Sequence, residues 1–179
     1  RVMITCALTG HAAGTAAAMC AAEGIEPRRL RATGIRRLQQ RLLKEGCYVI
    51  GLRADDPRDL APRAAASASS ERRSASGRGL GAGEAINGWP RAVGDRANAW
   101  MPDPDAALPH WIELRWPGPV VFNVVHVCFQ KASLAPERFS LEALVDGRWR
   151  RLAEVAGNRH RRHVLGFEET RADAIRAVE

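Results

Sequence analysis

The sequence predicts an α + β multidomain chain, with helices over residues 1–53, a linker over 54–83 and an antiparallel β-sandwich over 84–179. Three observations carry this. Apolar residues recur at helical spacing between Ile35 and Leu43. All five tryptophans, Trp89, Trp100, Trp111, Trp116 and Trp149, fall in the stretch expected to be the sandwich, so the two parts are built differently. That stretch also breaks into short apolar or alternating runs separated by turn residues.

Taken in order, residues 10–23 read as a helix of small side chains, with Gly24 just past its end. Pro27 suits the first turn of a short helix. Ile35, Leu38, Leu42 and Leu43 then share a helical face, Gly46 stops that helix, and CYVIGL leaves it as an extended exit. From Ala54 to Gly83 the chain is rich in Ala, Ser, Gly, Arg and Pro and has no aromatic residue, the composition of a linker, with mobility expected between Ala64 and Gly79.

HWIELRW alternates as a strand, and VVFNVVHVCF, with apolar residues on both faces, reads as a central sandwich strand buried on both sides. RFSLEALV and RWRRLAEV flank Asp146–Gly147, the strongest hairpin signal in the chain. RHVLGF and ADAIRAV predict two further strands. The sequence stops within or just after the last of these, so the sandwich is expected to lack its final strand.

The net charge is +7, and its distribution narrows what it means. Residues 1–63 carry 11 Lys/Arg against 6 Asp/Glu, whereas residues 84–179 carry 13 of each. Of the 27 basic residues 25 are Arg, and no aromatic-basic pattern accompanies them, so no nucleic-acid partner is expected. Cys6, Cys20, Cys47 and Cys128 show no CxxC spacing and complete no zinc pattern with the five histidines; a reduced, buried set and no metal are expected. Residues 2–22 lack charge over about the length of a bilayer span. The run is mostly Ala, Gly and Thr with His11 inside it, which favours a buried helix and no membrane contact.

GHAAGTAAAMCAAEG places two glycines four apart at the head of that helix. A helix N-terminus presents unpaired N–H groups and partial positive charge, and small residues let an electron-rich ligand reach them. Close helix packing without a ligand accounts for the same residues equally well. The segment, with the following PRRLRATGIRRLQQRLLKEGCYV, resembles the C-terminal end of bacterial FAD-dependent oxidoreductases of the glutathione-reductase-like flavoprotein superfamily. The matching residues are Gly10, Ala12, Gly14, Thr15, Ala16 and Ala17, then Leu38, Gln39 and Leu42.

The resemblance implies FAD as cofactor, contacted in a full-length parent by Thr9, Gly10, His11, Ala12, Ala13, Gly14 and Thr15. His11 stands where the pattern has Gln. The G-x-G-x-x-G loop that grips the pyrophosphate is absent, since GRGLGAG at 77–83 follows no strand. The chain then reads as a C-terminal fragment whose partner is a missing N-terminal FAD-binding domain, and it is not expected to hold FAD alone. No catalytic base or nucleophile can be named.

GEAINGWPRAVGDRANAWMPDPDAALPHWIELRWPGPVVFNVVHVCF, with the Asp146–Gly147–Arg148–Trp149 hairpin and the Gly157–Asn158 turn, resembles the discoidin-like, galactose-binding-like jelly-roll sandwich. Such folds often bind sugars through loops at one end, so the alternative function is a carbohydrate-binding or docking module without catalysis. Trp111, Trp116 and Trp149 lie in strand patterns and read as core. Trp89, Arg91, Arg96, Asn98 and Trp100 lie in loop sequence and form the candidate glycan site. Asp95, Asp103 and Asp105 are oxygen donors without an EF-hand spacing. Arg159, Arg161 and Arg162, beside His160 and His163, read as a solvated turn.

Overall fold

The computed structural model describes residues 2–72 and 80–179 and divides the chain into two compact units, Arg1–Asp56 and Pro57–Glu179. In the first, α1 (Val2–Glu23), α2 (Pro27–Thr33) and α3 (Ile35–Lys44) follow one another with short breaks. Each break has a local cause. Gly24 and Gly46 take positive φ of 62° and 93°. Behind them Ile25 N–H reaches the Cys20 carbonyl and Cys47 N–H the Leu42 carbonyl, closing both helix ends. Pro27 opens α2 where its missing N–H costs nothing.

Gly34 stands between α2 and α3 as the cap of both, and a Cβ there would lie 2.6 Å from Leu30 Cδ1. Leu30, Leu42 and Leu43 are buried, and Arg37 holds Glu23 by two 2.8 Å bonds.

Two expectations about α1 are corrected. It begins at Val2, eight residues before Gly10, because Val2 to Thr9 contain no breaker. It is also uncovered: only Cys20 is buried, and Val2, Met3, Ile4 and Leu8 are exposed. Its small apolar side chains are spread around all sides, so no stripe exists to bury. By length and composition it is apolar enough to cross a membrane.

The second unit is a five-stranded antiparallel sheet folded onto itself. Its strands are β1 (Ala65–Ala68), β2 (Trp111–Cys128), β3 (Phe139–Val145), β4 (Arg148–Val155) and β5 (Arg162–Val178), in spatial order β1-β2-β5-β3-β4. HWIELRW and VVFNVVHVCF prove to be one strand, as do RHVLGF and ADAIRAV. In β2 the bend falls at Pro117–Gly118–Pro119, where the register skips from Arg115↔Ala174 to Val120↔Ala172. Proline donates no ladder bond, so the pairing breaks there and resumes in the other layer.

Residues on either side of the bend then meet. Trp116 packs on Phe122 at 5.8 Å between ring centroids, and Phe122 on Phe167 at 5.8 Å. Trp116, Leu141 and Ile175 form the buried centre, with Val125, Leu152 and Leu165 against it.

Asp146 and Gly147 both take positive φ, 50° and 73°, the two-residue turn expected between β3 and β4. The expectation that β2 is buried on both faces fails: Phe122, Val125 and Val127 turn inward, while Val121 and Val124 are exposed. The linker is also revised. Ala65–Ala68 pairs with residues 112–115 as an edge strand, and the Leu60 carbonyl accepts from the Trp116 indole. The β unit therefore starts near Pro57 rather than at Glu84; residues 73–79 of the expected linker lie outside the described residues.

The cysteines are free, but only Cys20 is buried; Cys6 and Cys128 are exposed and Cys47 half-buried.

Candidate functional site

Because β2 and β5 fold back, the loops after β2, after β4 and before β2 meet at one end of the sandwich. Arg161, the last residue before β5, fastens them. Its Nε donates to the carbonyls of Phe129 (2.9 Å) and Gln130 (3.2 Å), and its terminal nitrogen reaches the Pro90 carbonyl. The Phe129 N–H returns a bond to the Arg161 carbonyl at 2.7 Å. A guanidinium suits this work because its donors diverge from one rigid plane.

Asn158 fixes the adjoining turn from the inside and is itself 9% exposed. Its side-chain amide donates to the Pro136 carbonyl (3.1 Å), and its Oδ1 accepts from the His160 N–H and from His163 Nε2, each at 2.8 Å. An amide oxygen can only accept, so His163 carries its proton on Nε2. The His163 ring lies edge-on to Phe139 (5.4 Å) and Phe129 (6.3 Å), and His160 follows at 6.2 Å. Arg159 and His160 are exposed. The turn read from sequence as merely solvated is thus a hydrogen-bonded framework with two polar side chains on its outside.

The loop over 84–98 is built in the same way. Glu84 accepts two bonds from Arg96 (2.9 and 2.6 Å) and one from Asn87 (3.0 Å). Arg96, and to a smaller extent Asn87, holds the Glu84 carboxyl below the ordinary carboxylate range. Asn87 also donates to Asn98 Oδ1 (2.8 Å) and accepts from the Trp89 N–H (3.0 Å), while Asn98 donates to the Arg91 carbonyl (3.0 Å). Asn98 is 7% exposed and takes a φ of 50°, a conformation asparagine tolerates better than most residues.

Of the five residues singled out from sequence, three are committed to the framework. Arg96 is paired with Glu84 and Asn98 is buried. Trp100 spends its indole N–H on the Ser70 carbonyl at 2.9 Å. Trp89, half-buried, and Arg91, exposed, lie next to Pro90, which Arg161 holds. Arg161 and His163, read from sequence as part of a solvated turn, and Asn158 are framework residues that the sequence did not connect with this end. The Gly157–Asn158 pair was their one signal, since Gly157 takes a φ of 62°.

Trp116 is core as expected, whereas Trp149 is half-buried on the sheet surface with the Arg176 guanidinium 4.1 Å from its ring centroid. Asp103 accepts from the Asp105 N–H, and among the described residues no His/Cys/Asp/Glu group is arranged for a metal. At the opposite end, a cleft of about 650 Å³ is lined by Asp146, Arg150, Glu169 and Arg171 and by no aromatic residue.

The residues assigned by resemblance to a flavin lie elsewhere than expected in the helix. Thr9 to Thr15 sit in the middle of α1, where each backbone N–H faces the carbonyl four residues before it. The hydroxyls of Thr9 and Thr15 bond back to the Thr5 and His11 carbonyls at 3.0 and 2.9 Å. No helix start is open at Gly10. His11 is engaged by Glu45 and Cys47.

The comparisons concern the β unit. Neither a family model nor a curated protein matches the chain. Solved structures do match in fold. Chitosan-binding module 1 of a chitosanase/glucanase from Paenibacillus sp. IK-5 matches with a TM-score of 0.55 and 18% identity, over 68% of this chain and 85% of that one. CpGH89CBM32-5 from Clostridium perfringens, solved with GalNAc-β-1,3-galactose, matches at 0.52 and 21%, over 66% and 86%. The family 32 module of C. perfringens NanJ, solved with galactose, matches at 0.51 and 15%, over 66% and 84%. The β unit has the fold of family 32 carbohydrate-binding modules. These likenesses concern the sandwich alone; none extends the flavoprotein resemblance.

Proposed function

We propose that the β unit is a carbohydrate-binding module whose ligand sits on the end held by Arg161. The observation that carries this is the fastening of three loops on that one side chain, beside which Trp89, Arg91 and His160 stand on a framework already hydrogen-bonded. A site of this kind binds without having to order its loops first. The indole face of Trp89 suits the apolar face of a sugar ring, and Arg91 and His160 suit its hydroxyls. Arg159 and Lys131 are exposed in these loops and disfavour a polycation. The ligand is therefore a neutral or acidic glycan rather than chitosan, and galactose and GalNAc, the sugars seen in two structures of similar fold, are the first to try.

Calorimetric titration of the full chain with galactose, a GalNAc-containing disaccharide and chitosan oligomers tests this. Saturable binding of the first two, weakened at least about tenfold by Trp89→Ala, is expected. Preference for chitosan, or binding indifferent to Trp89, overturns it.

An FAD-dependent parent is a separate proposal, supported by the residue pattern of the first fifty residues and not by the conformation of α1. Translation of the coding sequence upstream of Arg1 tests it. A strand leading into G-x-G-x-x-G supports the parent; its lack there removes it.

A further inference from the structure

In the first unit α1 and the end of α3 bring together three groups whose order matters. His11 Nδ1 lies 3.2 Å from Cys47 Sγ, and His11 Nε2 lies 2.7 Å from Glu45 Oε2. Arg41 Nε then donates to the other oxygen of Glu45 at 2.6 Å. We propose that Cys47 is a reactive thiol, with His11 as its base and Glu45 as the group that orients that base, and that it undergoes exchange with small disulfides.

The protons can be placed by elimination. Arg41 first, and His11 second, hold the Glu45 carboxyl below its ordinary range, so it is a carboxylate and only accepts. His11 Nε2 then carries the hydrogen of that bond, and Nδ1 is the ring nitrogen that faces the thiol. Burial, and next the charge of Glu45, push the Cys47 thiol up, so its resting form is the thiol, placed 3.2 Å from the base that the exchange requires. The groups that face this imidazole are Glu45, with Arg41 behind it, and Cys47.

In the exchange, Cys47 Sγ forms a bond to one sulfur of R–S–S–R as the R–S–S–R bond breaks. The thiol proton passes to His11 Nδ1 and then to the departing thiolate, giving Cys47–S–S–R and R–SH. Glu45 stabilises the imidazolium formed between these transfers. The disulfide supplies the oxidising equivalent, and Cys47, being half-buried, admits only a small one.

The other cysteines differ in kind. Cys20 is buried; among the described residues Cys6 is exposed with no base in hydrogen-bond reach, and Cys128 bonds a backbone carbonyl at 3.8 Å. They are internal controls. The full chain is mixed with 5,5′-dithiobis(2-nitrobenzoate), and each cysteine's rate is resolved by peptide mapping. At pH 7, Cys47 is expected to react about tenfold faster than Cys6, and His11→Gln to remove about that factor while Cys20 stays protected. Glu45→Gln is expected to remove a smaller part. Equal rates for Cys47 and Cys6, or a Cys47 rate untouched by His11→Gln, overturn the proposal.

If His11→Gln unmasks Cys20, the helices have come apart, and the wild-type pH dependence decides. Between pH 6.5 and 8 an unassisted thiol reacts faster as its thiolate fraction rises, by up to about tenfold per pH unit, and Cys6 serves as the measured reference. The Cys47 rate is expected to climb less steeply, because its proton has an acceptor in place. Parallel slopes overturn the assignment.

Discussion

The indole N–H of Trp116 donates to the Leu60 carbonyl over 2.9 Å, joining residues 56 apart in sequence. Trp116 sits at the bend of β2 and in the buried centre of the sandwich, so this bond pins the segment before β1 to the core. Phenylalanine at 116 keeps most of the packing and removes the donor. Trp116→Phe is expected to lower stability by about 1–2 kcal/mol, read as a lower urea midpoint at unchanged slope. An unchanged midpoint would mean that the Leu60 carbonyl is satisfied by water.

The grip of Arg161 is a matter of shape as well as charge. Lysine keeps the charge but cannot direct donors at Pro90, Phe129 and Gln130 together. Arg161→Lys is expected to weaken glycan binding at least about tenfold while costing the fold only about 1–2 kcal/mol. Titration calorimetry and thermal unfolding on the same sample separate the two effects. Unaltered affinity in the variant counts against a site at this end.

Acid should loosen the 84–98 loop before it unfolds the sandwich. The Glu84 carboxyl is lowered in the folded state, chiefly by its bonds from Arg96. Its contribution is therefore complete above the ordinary carboxylate range and is lost as pH falls through the lowered value. Stability measured from pH 7 down to pH 3 should decline more steeply in the wild type than in Glu84→Gln. Identical slopes would show that the pair is solvated.

Trp149 reports on the outer face of the sheet. Arg176 stacks on its ring and also bonds Glu142 at 2.8 Å, so Arg176→Ala removes both contacts and bares the indole. A loss of about 1 kcal/mol is expected, together with a red-shifted tryptophan emission. Emission that does not move would place the indole in water already.

Where structure follows from one or two neighbouring residues, the sequence was readable. Asp146–Gly147, Gly24 and Gly46 each take the positive φ that their position in the pattern demands, and the turns form where they stand. Ala65–Ala68 was hidden because alanine and serine carry no strand signal; those residues pair through the backbone with residues 112–115, whose own sequence sets the edge.

The merging of HWIELRW with VVFNVVHVCF was hidden for a different reason. Pro117, Gly118 and Pro119 read locally as a stop, and only the opposing β5 shows that they are a bend. In the candidate site, Arg96 and Trp100 were picked out as exposed ligands because sequence gives residue type but not partner; Glu84 and the Ser70 carbonyl occupy them. The start of α1 was misplaced since two glycines outweighed the eight unbroken residues before them.

The bend in β2 has a mechanical meaning. Two strands, β2 and β5, pair with each other on both sides of the bend, so among the described residues neither layer is made wholly of its own strands. A layer cannot peel away without dragging the same two chains out of the other. Amide exchange in residues 111–128 and 162–178 should accordingly report one shared opening, and a pull on one end of the sandwich should be felt at its loops.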